Sequence, residues 1–450
     1  MSGPKVVRIV TREEILALCE GHLARVDAAM REWLRIGRRN DCVSDADVAQ
    51  AEGRMARLRV LIKTNRFMDL QKQAPEEIAF LHQDMQGRLA KVADAAAKAR
   101  SASRRQSEAA AALLAALRKK GADLEPDLEA ALSRAAEGQP DTHALSRGFA
   151  LLGGDAAPDA AASHALAQSL KDGDSVQTLA DWIAGQPSPP SDPVLERFER
   201  RLAELSLLAG AQETGAFEAR LAAATAPGAE KRRSLVLDSL DLDLTAALVA
   251  ARKREQLVQN LRLTLAELTL VDAAAAQAIT VRAERTDPDT ALLLADTQAS
   301  LAKSRGAAAA QARRTAVLKS LAGLGYEVGE GLATAWVDQG RVVLRKAAQP
   351  DYGVEISGDP AGARMQMRVV AFGGEGEAAD LARDKDAETQ WCGDVATLQA
   401  ALTTAGASLV IERALAVGAT PVKRVAAPAS ALSRAAREGP AQQTLSRSRD

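Results

Sequence analysis

AWVDQGRVVLRKAAQPDYGVEISGDPAGARMQMRVVAF, residues 335 to 372, is where the chain leaves the helical period, and its reading decides the fold. Ala335-Trp336-Val337 and Arg341-Val342-Val343-Leu344-Arg345 flank the polar turn Asp338-Gln339-Gly340, the pattern of a hairpin. Gln349-Pro350-Asp351 is the next punctuation. Val354 and Ile356 then alternate with Glu355 and Ser357, a third run with one buried and one wet face, ended by Gly358-Asp359-Pro360. In a fourth run Met365, Met367, Val369 and Ala371 share one face. Four sequential strands with short connections predict an antiparallel meander.

Outward from this stretch the helical period returns. Trp391, Val395, Leu398 and Leu402 are spaced four, three and four apart and so lie on one helical face. A competing reading makes Glu388 to Cys392 a fifth strand and starts the helix at Asp394, a good N-cap. Leu409-Val410-Ile411 reads as a last strand. Upstream, a helix through Val317, Leu318 and Leu321 is expected to end at Gly323. Residues 316 to 425 are therefore expected to form an α+β domain that folds alone, and the small, polar residues 426 to 450 a disordered tail.

Everything before residue 316 reads as Ala-rich helix. The predicted fold class is mainly α: long helical hairpins or coiled-coil-like arms followed by the C-terminal α+β domain with its meander. Residues 1 to 120 predict a helical bundle or hairpin after a short β-like run at Val6 to Val10. Thr11 with Glu14 is a capping box, and Ile15, Cys19, His22, Val26, Met30 and Trp33 follow at helical spacing. Val48, Ala51, Met55, Leu58 and Ile62 mark a second helix, and a third, opened by Pro75, runs to Lys120 with Gly121 as its stop. Residues 121 to 185 read as an acidic, Ala-rich helical module with loose packing, and 186 to 193 (QPSPPSDP) as a linker. Residues 194 to 315 resume coiled-coil-like helices. There Leu257, Leu261, Leu265 and Leu268 predict an oligomer seam and self-association.

Of the 450 residues 47% are hydrophobic but only 3% aromatic, so much of the apolar content is Ala, which suits helix pairs better than a thick core. The first twenty residues hold Glu13, Glu14 and Glu20 and no apolar core, unlike a secretory signal, and no run of eighteen apolar residues predicts a membrane span. Three cysteines, an odd number, argue for a reducing compartment. The expected location is cytoplasmic. The net charge of −1 conceals an asymmetry: residues 1 to 120 carry 23 Lys/Arg against 15 Asp/Glu, whereas 121 to 193 carry 3 against 12. The two parts are expected to attract each other or, for the first, a polyanion.

Candidates for chemistry are few. Histidines 22, 82, 143 and 164 all precede the linker, so the α+β domain has none to act near neutrality. Cys19 and His22 supply only two metal ligands, and no third is evident. Cys392 sits among Glu388 and Asp394, negative neighbours that disfavour a thiolate. Gly323, Gly325, Gly329 and Gly331 lack the Lys and the strand-to-helix context of a phosphate loop. Asp384, Asp386 and Glu388 read as a solvated helix face. The one patch with functional promise is basic: Arg35, Arg38, Arg39, Arg54, Arg57, Arg59, Lys63 and Arg66 around the first helical turn-around, suited to phosphate contacts but interspersed with acids. No catalytic, metal or cofactor residue is predicted, and no cofactor. The expected function is a non-enzymatic scaffold with protein partners, itself a homo-oligomer. The alternatives are a nucleic-acid-associated protein using the basic helices and, third, an enzyme with an unrecognised site in the C-terminal domain.

Overall fold

The computed structural model describes residues 3–121, 124–139, 141–152, 192–225, 230–285, 289–329, 331–358, 363–373 and 380–426. The expected linker, apart from Asp192 and Pro193, the second half of the acidic module and all but the first residue of the expected tail lie outside these residues. The fold is mainly α with a C-terminal α+β region, and internal contacts group it into two units, residues 1–31, 49–79 and 259–450, and residues 32–48 and 80–258. In chain order the described elements are β1 (Lys5–Val10), α1 (Arg12–Arg39), α2 (Asp45–Lys63), α3 (Phe67–Lys120), α4 (Pro126–Ala136), α5 (Thr142–Leu152), α6 (Pro193–Ala209) and α7 (Ala211–Thr225). There follow α8 (Glu230–Val271), α9 (Ala273–Ala283), α10 (Thr290–Gly323), α11 (Leu332–Gln339), β2 (Arg341–Lys346), β3 (Gln349–Ser357), β4 (Arg364–Phe372), α12 (Leu381–Thr404), β5 (Ser408–Ala414) and β6 (Lys423–Val425). No helix among the described residues is long and apolar enough to cross a membrane.

The first unit is built on a sheet ordered β2-β3-β4-β1-β5, with β6 parallel to the end of β4. The meander is real from β2 to β4, but it has three strands, not four. Ala335 to Val337 lie in the helix α11, between Gly331 and Gly340, both left-handed at φ 83° and 65°. Three apolar residues carry too little period to separate strand from helix, and these glycines bound a single short helix whose Trp336 is buried. Gln349, Pro350 and Asp351 open β3 instead of separating strands, and Pro350 is accommodated beside a register shift at Arg345/Lys346.

The larger correction concerns β1. It belongs to the C-terminal sheet, not to the N-terminal bundle, and it is a central strand. It runs antiparallel to β4 over Lys5–Arg8 and to β5 over Lys5–Val10. Its inward Val7 and Ile9 are fully buried among Val354, Ile356, Met367 and Leu409 of the other strands. Helices cover this face: Val317, Leu318 and Leu321 of α10, Trp336 of α11, and Trp391, Val395, Leu398 and Leu402 of α12 complete one core. Residues 388 to 392 are thus helical, because α12 starts earlier, capped by Asp380. At the end of α10 the left-handed residue is Gly325, not Gly323, and the Tyr326 amide donates back to the Leu321 carbonyl at 3.1 Å.

The same unit joins helices by charge. Arg313 of α10 reaches Glu14 of α1 (Nε to Oε2 3.1 Å), and Arg54 of α2 reaches Glu77 of α3 at 2.7 Å. Thr11 caps α1, its Oγ1 accepting from the Glu14 amide at 3.2 Å, the first half of the predicted capping box. Glu267 of α8 is buried and ion-paired with Arg305 of α10; the missing side chain of Gly21 on α1 leaves room for that carboxylate.

In the second unit the described part of the acidic module is well packed, contrary to the expectation. Leu128, Leu132 and Ala135 of α4 and Ala144 and Leu145 of α5 bury against Ala110, Leu113 and Leu117 of α3. Gly148 makes this approach feasible, since a Cβ there would meet Leu113 Cδ2 at 2.6 Å. A second cluster joins Leu195, Phe198, Leu202 and Leu205 of α6 to Leu221 of α7 and to Leu237, Leu240, Leu244 and Leu248 of α8. The apolar spacing therefore names the right faces, but their partners are within the chain.

Arg88 of α3 organises the corner of this unit. Its guanidinium donates to the Cys42 carbonyl (2.7 Å), to Asp47 Oδ1 (2.9 Å) and to Asp84 Oδ2 (2.7 Å), and lies 5.7 Å from the centre of the Trp33 ring. Trp33 Nε1 donates to the same Asp84 oxygen at 2.8 Å. Asp47 also caps α2, accepting from the Ser44 amide at 2.9 Å and hydroxyl at 2.7 Å. Arg88 first, then these Ser44 bonds, hold the Asp47 carboxyl far below its ordinary value. A depressed carboxylate contributes stability above its unfolded value, about 3.9, and loses it as pH falls towards the folded value. We therefore expect a fall in thermal midpoint on acidification below about pH 4, smaller in Asp47→Asn than in wild type when both are followed by circular dichroism.

Candidate functional site

The inner face of α12 carries most of the polar chemistry of the α+β region. Asp394 accepts from Tyr326 OH at 2.7 Å and from Lys346 Nζ at 2.8 Å, and the Lys346 ammonium lies 5.2 Å from the centre of the Tyr326 ring. Nearly three turns towards the N-terminus, Asp384 accepts from Tyr352 OH at 2.7 Å and faces Arg424 at 3.8 Å. Between them Glu388 accepts from the Gly418 amide at 2.6 Å. Asp384 and Glu388 are 5% and 4% exposed, so these two carboxylates do not solvate a helix face as expected; only Asp386 of the three is exposed. Charge at buried positions is tolerated here because each carboxylate has a donor.

Burial, then the Asp394 bond, pushes the Tyr326 phenol well above its ordinary value. The same two causes, with Asp384 as acceptor, push Tyr352 up to about 12. Both tyrosines therefore stay protonated donors at neutral pH and are poor bases. Trp391 packs edge-on against Tyr326, centroids 6.1 Å apart and planes at 84°. The cavity bounded by Tyr326, Lys346, Tyr352 and Trp391 has a volume of about 10 Å³, room for a single water.

Cys392 stands on the same helix, and its surroundings differ from those its sequence neighbours suggest. Lys5 of β1 donates from Nζ to Cys392 Sγ at 3.1 Å. A residue 387 positions away in sequence supplies the positive charge, invisible to any local reading. Cys19 and His22 lie on one face of α1 as predicted, but the thiol is pushed up chiefly by burial and the imidazole down chiefly by burial, with Arg25 and Arg305 adding to the latter. Among the described residues no group of three His, Cys, Asp or Glu side chains is arranged to hold a metal.

The predicted basic residues do not behave as one set. Arg35 binds Glu32 through two bonds of 2.9 and 2.6 Å, Arg59 faces Asp27 at 3.5 Å, Arg66 binds Asp69 at 2.6 Å, and Arg54 is spent on Glu77. Arg38 and Arg39, exposed in the last turn of α1, and Arg57 and Lys63, exposed on α2, make no ion pair among the described residues. Cations in a last helical turn also complement the helix dipole, which accounts for Arg38, Arg39 and Lys63 without a ligand.

The predicted oligomer seam is not a free surface. Leu261 and Leu268 are buried inside the protomer, at 6% and 0% exposure, and Leu257 and Leu265 are half-buried. Spacing locates an apolar face but not what covers it. A different row on the same helix does face outward: Leu235, Leu242 and Val249 of α8 are 72%, 73% and 59% exposed. They recur every seven residues, so two full turns separate each from the next and all three lie along one line. The other side of that helix segment is already used, against α6 and α7. The chain matches no family model, no curated protein and no solved structure.

Proposed function

We propose that the chain is a non-enzymatic interaction protein, a cytoplasmic scaffold whose helical arms hold the C-terminal α+β unit in a multi-protein assembly. The observation that carries this reading is the outward row Leu235, Leu242 and Val249 on α8. Single exposed leucines are ordinary, but three large apolar side chains in register on a helix otherwise packed by its opposite face form a ready half of a helix–helix contact. Covering them would gain about 25 cal/mol for each Å² removed from water, and no described residue of the chain uses that surface. The helix proposed to cover the row belongs to another protein or to a second copy of this one, since none among the described residues covers it. The C-terminal cluster on α12 supports the same reading: its carboxylates Asp384, Glu388 and Asp394 are each bonded within the unit, and the cavity beside them has about 10 Å³.

The test is recovery of the tagged full-length protein from its own cells, with and without nuclease, beside Leu235→Asp/Leu242→Asp. The wild type is expected to retain a stoichiometric protein or a second copy through nuclease treatment, and the variant to lose it while keeping its helical circular dichroism. Loss of the wild-type complex on nuclease treatment would instead favour association with nucleic acid through the basic helices. A wild type that is monomeric and alone, or a variant that keeps the same partner, contradicts the proposal.

A further inference from the structure

We propose that Lys5 and Cys392 form an oxidant-responsive pair: peroxide converts the Cys392 thiol to a sulfenic acid, and the Lys5 amine captures it, tying strand β1 covalently to α12. Three observations carry this. Lys5 is 2% exposed, and lysine is almost never buried so deeply without a carboxylate partner. Its Nζ instead meets sulfur, at 3.1 Å, although that helix carries four carboxylates: Asp386 is exposed, and the other three are engaged elsewhere, Asp384 with Tyr352, Glu388 with the Gly418 amide, Asp394 with Tyr326 and Lys346. The backbone at Lys5 is held on both sides, opposite Met367 of β4 and Ala414 of β5, so the amine is kept at the separation from which bonds form.

Cys392 is half-buried and within reach of a small oxidant, whereas Cys19 is fully buried. In the first step the Cys392 sulfur attacks one peroxide oxygen and the O–O bond breaks. The departing hydroxide takes the thiol proton, giving Cys–SOH and one water. In the second, the Lys5 ammonium gives one proton to water, and the amine so freed attacks that sulfur as the S–O bond breaks. The hydroxide leaves with an amine proton as a second water, and an S–N bond remains. Peroxide is the oxidant and is reduced; sulfur is oxidised by two electrons; besides the proton given to water, the pair loses two hydrogens. Thiols reverse the link by attacking sulfur and releasing the amine.

Full-length protein treated with one to a few equivalents of hydrogen peroxide, then digested without reductant, reads this directly by mass spectrometry. The expected product is a joined peptide containing Lys5 and Cys392 whose mass is about 2 Da below the sum of its parts, separated again by dithiothreitol. Lys5→Arg, its fold checked by circular dichroism, should leave Cys392 as a sulfenic acid trapped by dimedone. Dimedone-labelled or over-oxidised Cys392 with unmodified Lys5 in the wild type overturns the proposal. So does a Cys392 that remains a thiol while Cys42 reacts. The wild-type digest decides the matter even if the variant does not fold.

Discussion

A chain lacking residues 1 to 10 is expected to lose its C-terminal sheet. The strand removed is the one between β4 and β5, and its loss separates those strands by two inter-strand spacings, about 10 Å, with unpaired backbone on both sides. It also takes Val7 and Ile9 out of the core, each fully buried. The cooperative unfolding transition of this unit should vanish in the truncated protein, and near-ultraviolet dichroism from Trp336 and Trp391 should collapse. The milder Ile9→Ala should cost about 2–5 kcal/mol in denaturant titration. The same physics reverses the expectation for residues 316 to 425 expressed alone. That fragment lacks its central strand and should unfold broadly, while fusion of residues 3 to 11 should restore a sharp transition. Retention of a native-like transition by the truncated chain would mean that β1 is an accessory edge.

Trp391→Ala should be nearly as damaging, at about 3–5 kcal/mol. The ring is 2% exposed, sits at the centre of the α12 stripe, and braces Tyr326, whose hydroxyl and neighbouring Lys346 converge on Asp394. Removing it leaves a void beneath the partly buried Tyr326–Asp394–Lys346 triad, whose bonds resist its collapse. Trp391→Phe separates the causes. The indole Nε1 is buried with no protein hydrogen-bond partner, so phenylalanine gives up volume but relieves an unpaired donor worth about 1–3 kcal/mol. Its net effect should be well under half that of alanine. Equal losses for the two variants, measured by chemical denaturation, would show that the indole nitrogen is in use.

The helices were legible because their signals are local. Thr11 caps α1 at the Glu14 amide, Asp380 caps α12, and the row Trp391, Val395, Leu398, Leu402 emerges on the buried face read from its spacing. The sheet was legible only where strands are neighbours in sequence, from β2 to β4. The six residues of β1 pair with positions more than 350 residues away, and a period of two specifies a face, not a partner. The Lys5–Cys392 contact was hidden for the same reason. The buried Asp384 and Glu388 look solvated in the sequence because charged residues on a helix usually are, and their donors, Tyr352 and the Gly418 amide, come from other elements. The leucines near 261 read as a seam for a second copy because sequence cannot show that the chain covers them itself, whereas Leu235, Leu242 and Val249, the row left exposed by the described residues, have the same chemistry and a similar spacing. Only burial distinguishes the two.

Native-state hydrogen exchange on the full-length protein tests most directly whether the first strand and the C-terminal sheet are one folded unit. The amides of Val7 and Ile9 should exchange as slowly as those of Met367 and Val369 on β4, and all should accelerate together as denaturant is added. Exchange of the β1 amides at the rate of a frayed terminus, while β4 stays protected, would contradict it.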